Sequence, residues 1–137
     1  MNIIATTVSL AVDDVAASSA FFTTHLGFRE VMADPSFVSL TRDDAAGDVV
    51  LLRRGSDMLP GEQRHERPAG LVLAFTVTGL EAEYRRLRRE GANITMPMRE
   101  EPWGERLVQL TDPNGVVVRL VEWIPPAGAQ PLPTYAR

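Results

Sequence analysis

The 137 residues are enough for one domain, with 45% hydrophobic and 23% charged residues and no low-complexity tract, and a chain this long buries roughly two-thirds of its unfolded surface. A formal net charge of -4 argues against a nucleic-acid partner, which needs a basic face. With no cysteine, and with all 14 basic residues arginine, disulfides, thiolate nucleophiles, Cys-ligated metals and Schiff-base lysines are excluded together.

The opening MNIIATTVSLAVDD lacks the basic start of a secretory signal, and its apolar run is too short for a bilayer. A cytoplasmic protein with no membrane partner is expected. In chain order, the patterns predict a strand over 3–12, a helix over 14–26 closed by Gly27, and strands near 28–33, 36–42 and 48–54. A polar loop runs to about 68. The same order then returns: a strand over 70–77, a helix over 79–90 closed by Gly91, and strands near 93–98, 105–111 and 116–123. The duplication divides a single domain of 1–137 into module one, about 1–60, and module two, about 68–124. A tail over 125–137 holds four of the ten prolines; it cannot continue a sheet and is either a frayed end or an arm on a neighbouring surface.

Alternation along the strands separates two faces. Val8, Leu10 and Val12 oppose Thr7, Ser9 and Ala11, and in the repeat Leu73, Phe75 and Val77 oppose Val72, Ala74 and Thr76. The bulky faces are expected to pack on the helices, through Val15, Phe22 and Leu26 in one module and Leu80, Tyr84 and Leu87 in the other. The small faces leave room. Thr78 and Glu81 form a candidate capping box for the second helix, and Arg85, Arg86, Arg88 and Arg89 complement the negative end of its dipole. That accounts for the basic cluster without an anion site.

Asp112-Pro113-Asn114-Gly115 is a tight-turn signal, so the strand after it places Val117, Arg119, Val121 and Trp123 on one face and Val116, Val118 and Leu120 on the other. Laying GDVVLLRRG, from Gly47, over GVVVRLVEW, from Gly115, makes Leu51 the counterpart of Arg119. By alternation Glu122 points to the opposite face, toward the helix or solvent, whereas the direction of Gln109 stays open. His25, ending the first helix, and His65, in the charged loop, have no partner at ligand spacing and are read as ordinary side chains.

VSLAVDDVAASSAFFTTHLGF at the start of module one and WGERLVQLTDPNGVVVRLVEW at the end of module two, with the duplicated unit between, resemble the vicinal oxygen chelate superfamily of glyoxalases, bleomycin-resistance proteins and extradiol dioxygenases. The resemblance covers roughly residues 3 to 123. It implies an α+β fold of two βαβββ modules forming a cupped mixed sheet around a cavity, and a homodimer. Metal-dependent members carry His or Glu at four inward positions. By motif these fall here on Thr7, Val72, Leu51 and Arg119, which supply a hydroxyl, two aliphatic groups and a cation. Three or four converging N or O donors are needed for a divalent ion, so no metal and no other cofactor is expected.

The cavity face predicted from this register comprises Thr7, Ser9, Leu51, Val72, Ala74, Val117, Arg119, Val121 and Trp123, with Trp103 at the rim by family analogy. Such a lining, largely apolar with few polar groups, suits an organic ligand. Arg119 either holds a ligand oxygen or pairs with an internal acid such as Glu101, Glu105 or Glu30, because an unpaired buried charge is costly. The favoured reading is a metal-independent protein that sequesters a hydrophobic or aromatic compound such as an antibiotic or natural product. The alternative is a glyoxalase-like lyase, isomerase or dioxygenase, metal-independent or with ligands elsewhere; no inward general base favours it.

Overall fold

The computed structural model describes residues 1–124; the predicted tail over 125–137 lies outside them. Two compact units emerge, one of Met1–Leu71 with Asp112–Val116, the other of Val72–Thr111 with the chain from Val117 onward. The repeat predicted from the sequence is present, but the DPNG turn packs with the first unit.

Unit one has strands β1 (Thr7–Val12), β2 (Arg29–Asp34), β3 (Phe37–Thr41) and β4 (Asp48–Arg53), with helix α1 (Val15–His25) after β1. The sheet order is β1-β4-β3-β2, parallel between β1 and β4 and antiparallel elsewhere. Helix α1 begins where the Asp14 carboxylate accepts the Ala17 N–H at 3.0 Å, satisfying one of the donors a helix start leaves free. It ends at Gly27, whose φ of 69° is open to glycine at no steric cost, while Leu26 and Phe28 N–H both return to the Phe22 carbonyl. Leu10, Val38, Leu40, Val49 and Leu51 are buried together with Phe22 of α1. Each such side chain contributes about 2 kcal/mol of burial.

Unit two repeats the plan with β5 (Val72–Thr76), helix α2 (Leu80–Arg89), β6 (Ile94–Glu100), β7 (Glu105–Thr111) and β8 (Val117–Trp123), ordered β5-β8-β7-β6. Leu80 and Leu87, seven apart and so on one helix face, are fully buried with Val108, Leu110 and Val118. The capping box predicted at Thr78 and Glu81 does not form. Gly79 takes the cap position in a left-handed conformation with no side-chain cap of its own. Instead the Glu122 carboxylate accepts the Gly79 and Leu80 N–H groups at 2.7 and 3.2 Å. A strand residue thus caps a helix more than forty positions away, placing a negative charge at the positive end of its dipole. Alternation had already sent Glu122 to that face.

The DPNG turn is held by its own aspartate. Asp112, 3% exposed, accepts the Asn114 and Val116 N–H groups on Oδ1 at 2.9 and 2.7 Å, and its Oδ2 accepts the Ser18 hydroxyl of α1. Asn114 completes the seam, donating to Ser18 Oγ and to the Asp14 carbonyl, each at 2.7 Å. Among the described residues no helix is long and apolar enough to cross a membrane.

Candidate functional site

In unit two, the register sets Val72 beside Val117, Ala74 beside Arg119 and Thr76 beside Val121, and on the other flank of β8 sets Thr111, Gln109, Leu107 and Glu105 opposite Val117, Arg119, Val121 and Trp123. Cross-strand partners share a face. One face of this sheet therefore carries Val72, Ala74, Thr76, Glu105, Leu107, Gln109, Thr111, Val117, Arg119, Val121 and Trp123, of which Val72, Ala74 and Thr76 are exposed and Glu105, Val117, Gln109, Arg119 and Trp123 half-buried. Val121 and Leu107 are buried. Helix α2 packs on β7 and β8 from the side of Leu110, Val118 and Leu120, leaving this face free of it.

Arg119 stands in the middle of that face. Its Nη2 donates to Gln109 Oε1 at 3.2 Å. The amide is oriented by Arg119, which can only donate and so takes the oxygen; its Nε2 donates to Thr95 Oγ1 at 3.1 Å, and Thr95 Oγ1 lies 2.9 Å from Thr111 Oγ1. Arginine, glutamine and two threonines thus form one polar chain across β8, β7 and β6. Among the described residues Arg119 has no other hydrogen bond and no ion pair, and its Nε–H is buried without an acceptor.

The acid partners expected for Arg119 do not reach it. Glu30 accepts the Ser19 hydroxyl at 2.6 Å, Glu101 pairs with Arg99 at 2.6 Å, and Glu105 sits opposite Trp123, near the far end of the strand. Alternation over 101–111 gave no starting point for Gln109, but the turn supplies one. With Asp112 N–H bonded to the Val116 carbonyl, Thr111 must face Val117 and, two steps on, Gln109 must face Arg119. Thr95 could not have been found this way, because β6 has register shifts on both sides of Met96.

In unit one, Thr7 pairs with Asp48 and Ser9 with Val50, while Leu10 pairs with Leu51. Thr7 and Ser9 are exposed on the face of Asp48, Val50, Ser39 and Thr41, the last donating to Asp48 at 2.6 Å. Leu51 belongs to the other face, fully buried beside Leu10 and Val38, so its predicted place in the lining is corrected. The sequence overlay was one residue out of register: Thr7 meets Asp48 as Val72 meets Val117, which makes Val50 the counterpart of Arg119. A one-residue slip moves a side chain to the opposite face. Trp103 lies off the sheet in the turn before β7, 55% exposed. His25 stacks edge-on to Phe21 at 5.4 Å, and the His65 carbonyl accepts Arg54 at 3.1 Å.

The donor set does not fit a metal ion. Thr7, Val72, Arg119 and either Leu51 or Val50 offer one hydroxyl and a positive charge that repels a cation, and no three His, Asp or Glu side chains come together among the described residues.

Comparisons with known proteins agree with this architecture. A glyoxalase/bleomycin resistance protein/dioxygenase from Nocardioides is 24% identical, over 96% of this chain and 89% of its own, with a TM-score of 0.72. TnmS3, an antibiotic binding protein from Streptomyces sp. CB03234, is 23% identical, over 90% of this chain and 98% of its own, with a TM-score of 0.68. A lactoylglutathione lyase from Agrobacterium tumefaciens is 18% identical, over 89% and 94%, also at 0.68. No curated protein sequence matches the chain. At these identities the structural likeness speaks to the fold. The sequence profile of the Glyoxalase/Bleomycin resistance protein/Dioxygenase superfamily matches residues 4–120, and with the two βαβββ units it describes already in place, this chain belongs to that superfamily.

Proposed function

We propose that this protein binds a hydrophobic, aromatic small molecule without a metal ion, using the face of the unit-two sheet that carries Arg119, and sequesters that molecule rather than transforming it. The observation that carries the reading is the combination on one face of small or apolar residues, Val72, Ala74, Val117 and Val121, with Arg119, at a position where the family resemblance leads one to expect a metal ligand. Such a surface recognises an organic body by burial and orients it with a few polar groups. Trp123, ending β8 on the same face, offers an indole for stacking. The fold shared with TnmS3, named as an antibiotic binding protein, supports an antibiotic or natural product as the ligand class. Exposed Ile3, Ile4, Val31 and Met32 support a homodimer as the assembled form, and a cytoplasmic location belongs to the same proposal.

Titration with aromatic antibiotics, followed by tryptophan fluorescence, tests the reading. Saturable binding is expected, with the compound recovered unchanged after denaturation. Recovery of an altered compound would favour the glyoxalase-like enzyme instead, and stoichiometric zinc, nickel, manganese or iron in protein purified without chelator would overturn the metal-independent assignment.

A further inference from the structure

The Arg119 guanidinium has five N–H donors and a fixed positive charge. Among the described residues it spends one hydrogen bond on the neutral Gln109 amide, meets no carboxylate, and keeps a buried Nε–H without an acceptor. A protein that only needed to neutralise this cation could have placed one of its 18 acidic residues beside it; the acid this face carries, Glu105, stands opposite Trp123, and the residues flanking Arg119 are Ala74 and Gln109. Gln109 cannot turn its other end to Arg119, because the guanidinium only donates and would then face the amide NH2, so the amide oxygen stays on the guanidinium and the chain of hydrogen bonds reaches across three strands. The result is a positioned cation that meets no carboxylate among the described residues.

We propose that the ligand of this face is an anion: a flat aromatic compound bearing a planar oxyanion, carboxylate or phenolate, that docks on the guanidinium of Arg119, with Gln109 and Thr95 as positioning residues. This rests on the binding reading above and narrows its ligand class. A planar oxyanion matches the guanidinium fork, and charge-assisted bonds of this kind are about twice as strong as neutral ones.

Anthracene-9-carboxylate and its neutral isostere anthracene-9-carboxamide separate the two claims by fluorescence titration. Wild-type protein is expected to prefer the carboxylate by about ten-fold or more, with carboxylate affinity flat from about pH 6 to 9, far above the usual carboxylic-acid range. Arg119→Gln should erase the preference, carboxylate affinity falling to that of the amide, and Arg119→Lys should restore part of it, since lysine keeps the charge but not the fork. Gln109→Leu should lower the carboxylate preference several-fold without changing the pH profile, a selectivity readout that a merely structural glutamine would not move. Equal binding of both probes by the wild type, or an unchanged preference in a folded Arg119→Gln variant, overturns the anion inference and leaves the binding reading standing. Failure of the folded wild type to bind either probe removes both.

Discussion

Ser18 of α1 donates its hydroxyl proton to the buried carboxylate of Asp112, a residue 94 positions away in the chain. That contact, with Asn114 reaching back to Ser18 and Asp14, explains why a turn between two strands of unit two is grouped with unit one. The DPNG motif is therefore more than a reversal of direction. Its aspartate spends one oxygen on closing the turn and the other on α1.

Asp112→Ala is expected to destabilise the protein by about 2 to 4 kcal/mol, because the substitution removes the acceptor of the buried Val116 N–H, the half-buried Asn114 N–H and Ser18. Ser18→Ala should cost less, about 1 to 2 kcal/mol, since Asp112 keeps its two backbone bonds. Urea unfolding of the purified variants measures both; an Asp112→Ala loss under about half a kcal/mol would deny the turn its anchoring role.

The helix cap offers a sharper contrast. Glu122→Ala should cost about 1 to 2 kcal/mol and speed amide exchange at Gly79 and Leu80, whose N–H groups lose their acceptor. Thr78→Ala, the substitution a capping box would make costly, should fall within about half a kcal/mol of wild type. Reversal of that order would restore the local cap.

Acid lability should trace in part to Asp13. Hydrogen bonds from Arg54 and Arg67 hold its carboxyl below the ordinary aspartate range, Arg54 contributing most. With the folded value depressed, the contribution is fully present above the unfolded pKa and drains away as pH falls through the folded one. Below about pH 4 the urea midpoint of wild type should fall more steeply than that of Asp13→Asn. Parallel curves would mean the two arginines do not bias the titration.

The tryptophans should report binding unequally. Trp123 shares the face of Arg119, whereas Trp103 occupies the turn before β7 and is 55% exposed. Trp103→Phe is expected to keep most of the ligand-induced emission change and Trp123→Phe to lose most of it. The opposite outcome would move the ligand toward the turn.

Much of this was legible in the sequence, for identifiable reasons. Two-residue alternation in VSLAV and LAFTV fixed which side chains share a face, and the glycines at 27 and 91 marked both helix ends, where φ is 69° and 73°. The grouping of Arg119 with Val117, Val121 and Trp123 needed only the turn and the strand period. Leu51 failed because an overlay of two similar strings does not count backbone hydrogen bonds, and one residue of slip inverts a strand. The cap of α2 failed for another reason: a threonine at a favourable spacing is a local signal, and a glutamate from a distant strand outcompeted it.

By itself, then, the sequence determined the duplicated unit and the order of its elements, properties that follow from residue type and near-neighbour spacing. Only the tertiary structure decided what those residues meet: that Val50 rather than Leu51 matches Arg119, that Glu122 caps α2, that Ser18 holds Asp112, and that Arg119 is steadied by a glutamine and left without a counter-charge among the described residues. Each of these depends on strand register or on contacts between residues far apart in the chain. Neither is encoded in periodicity, because register is chosen by the energy of the whole packed sheet.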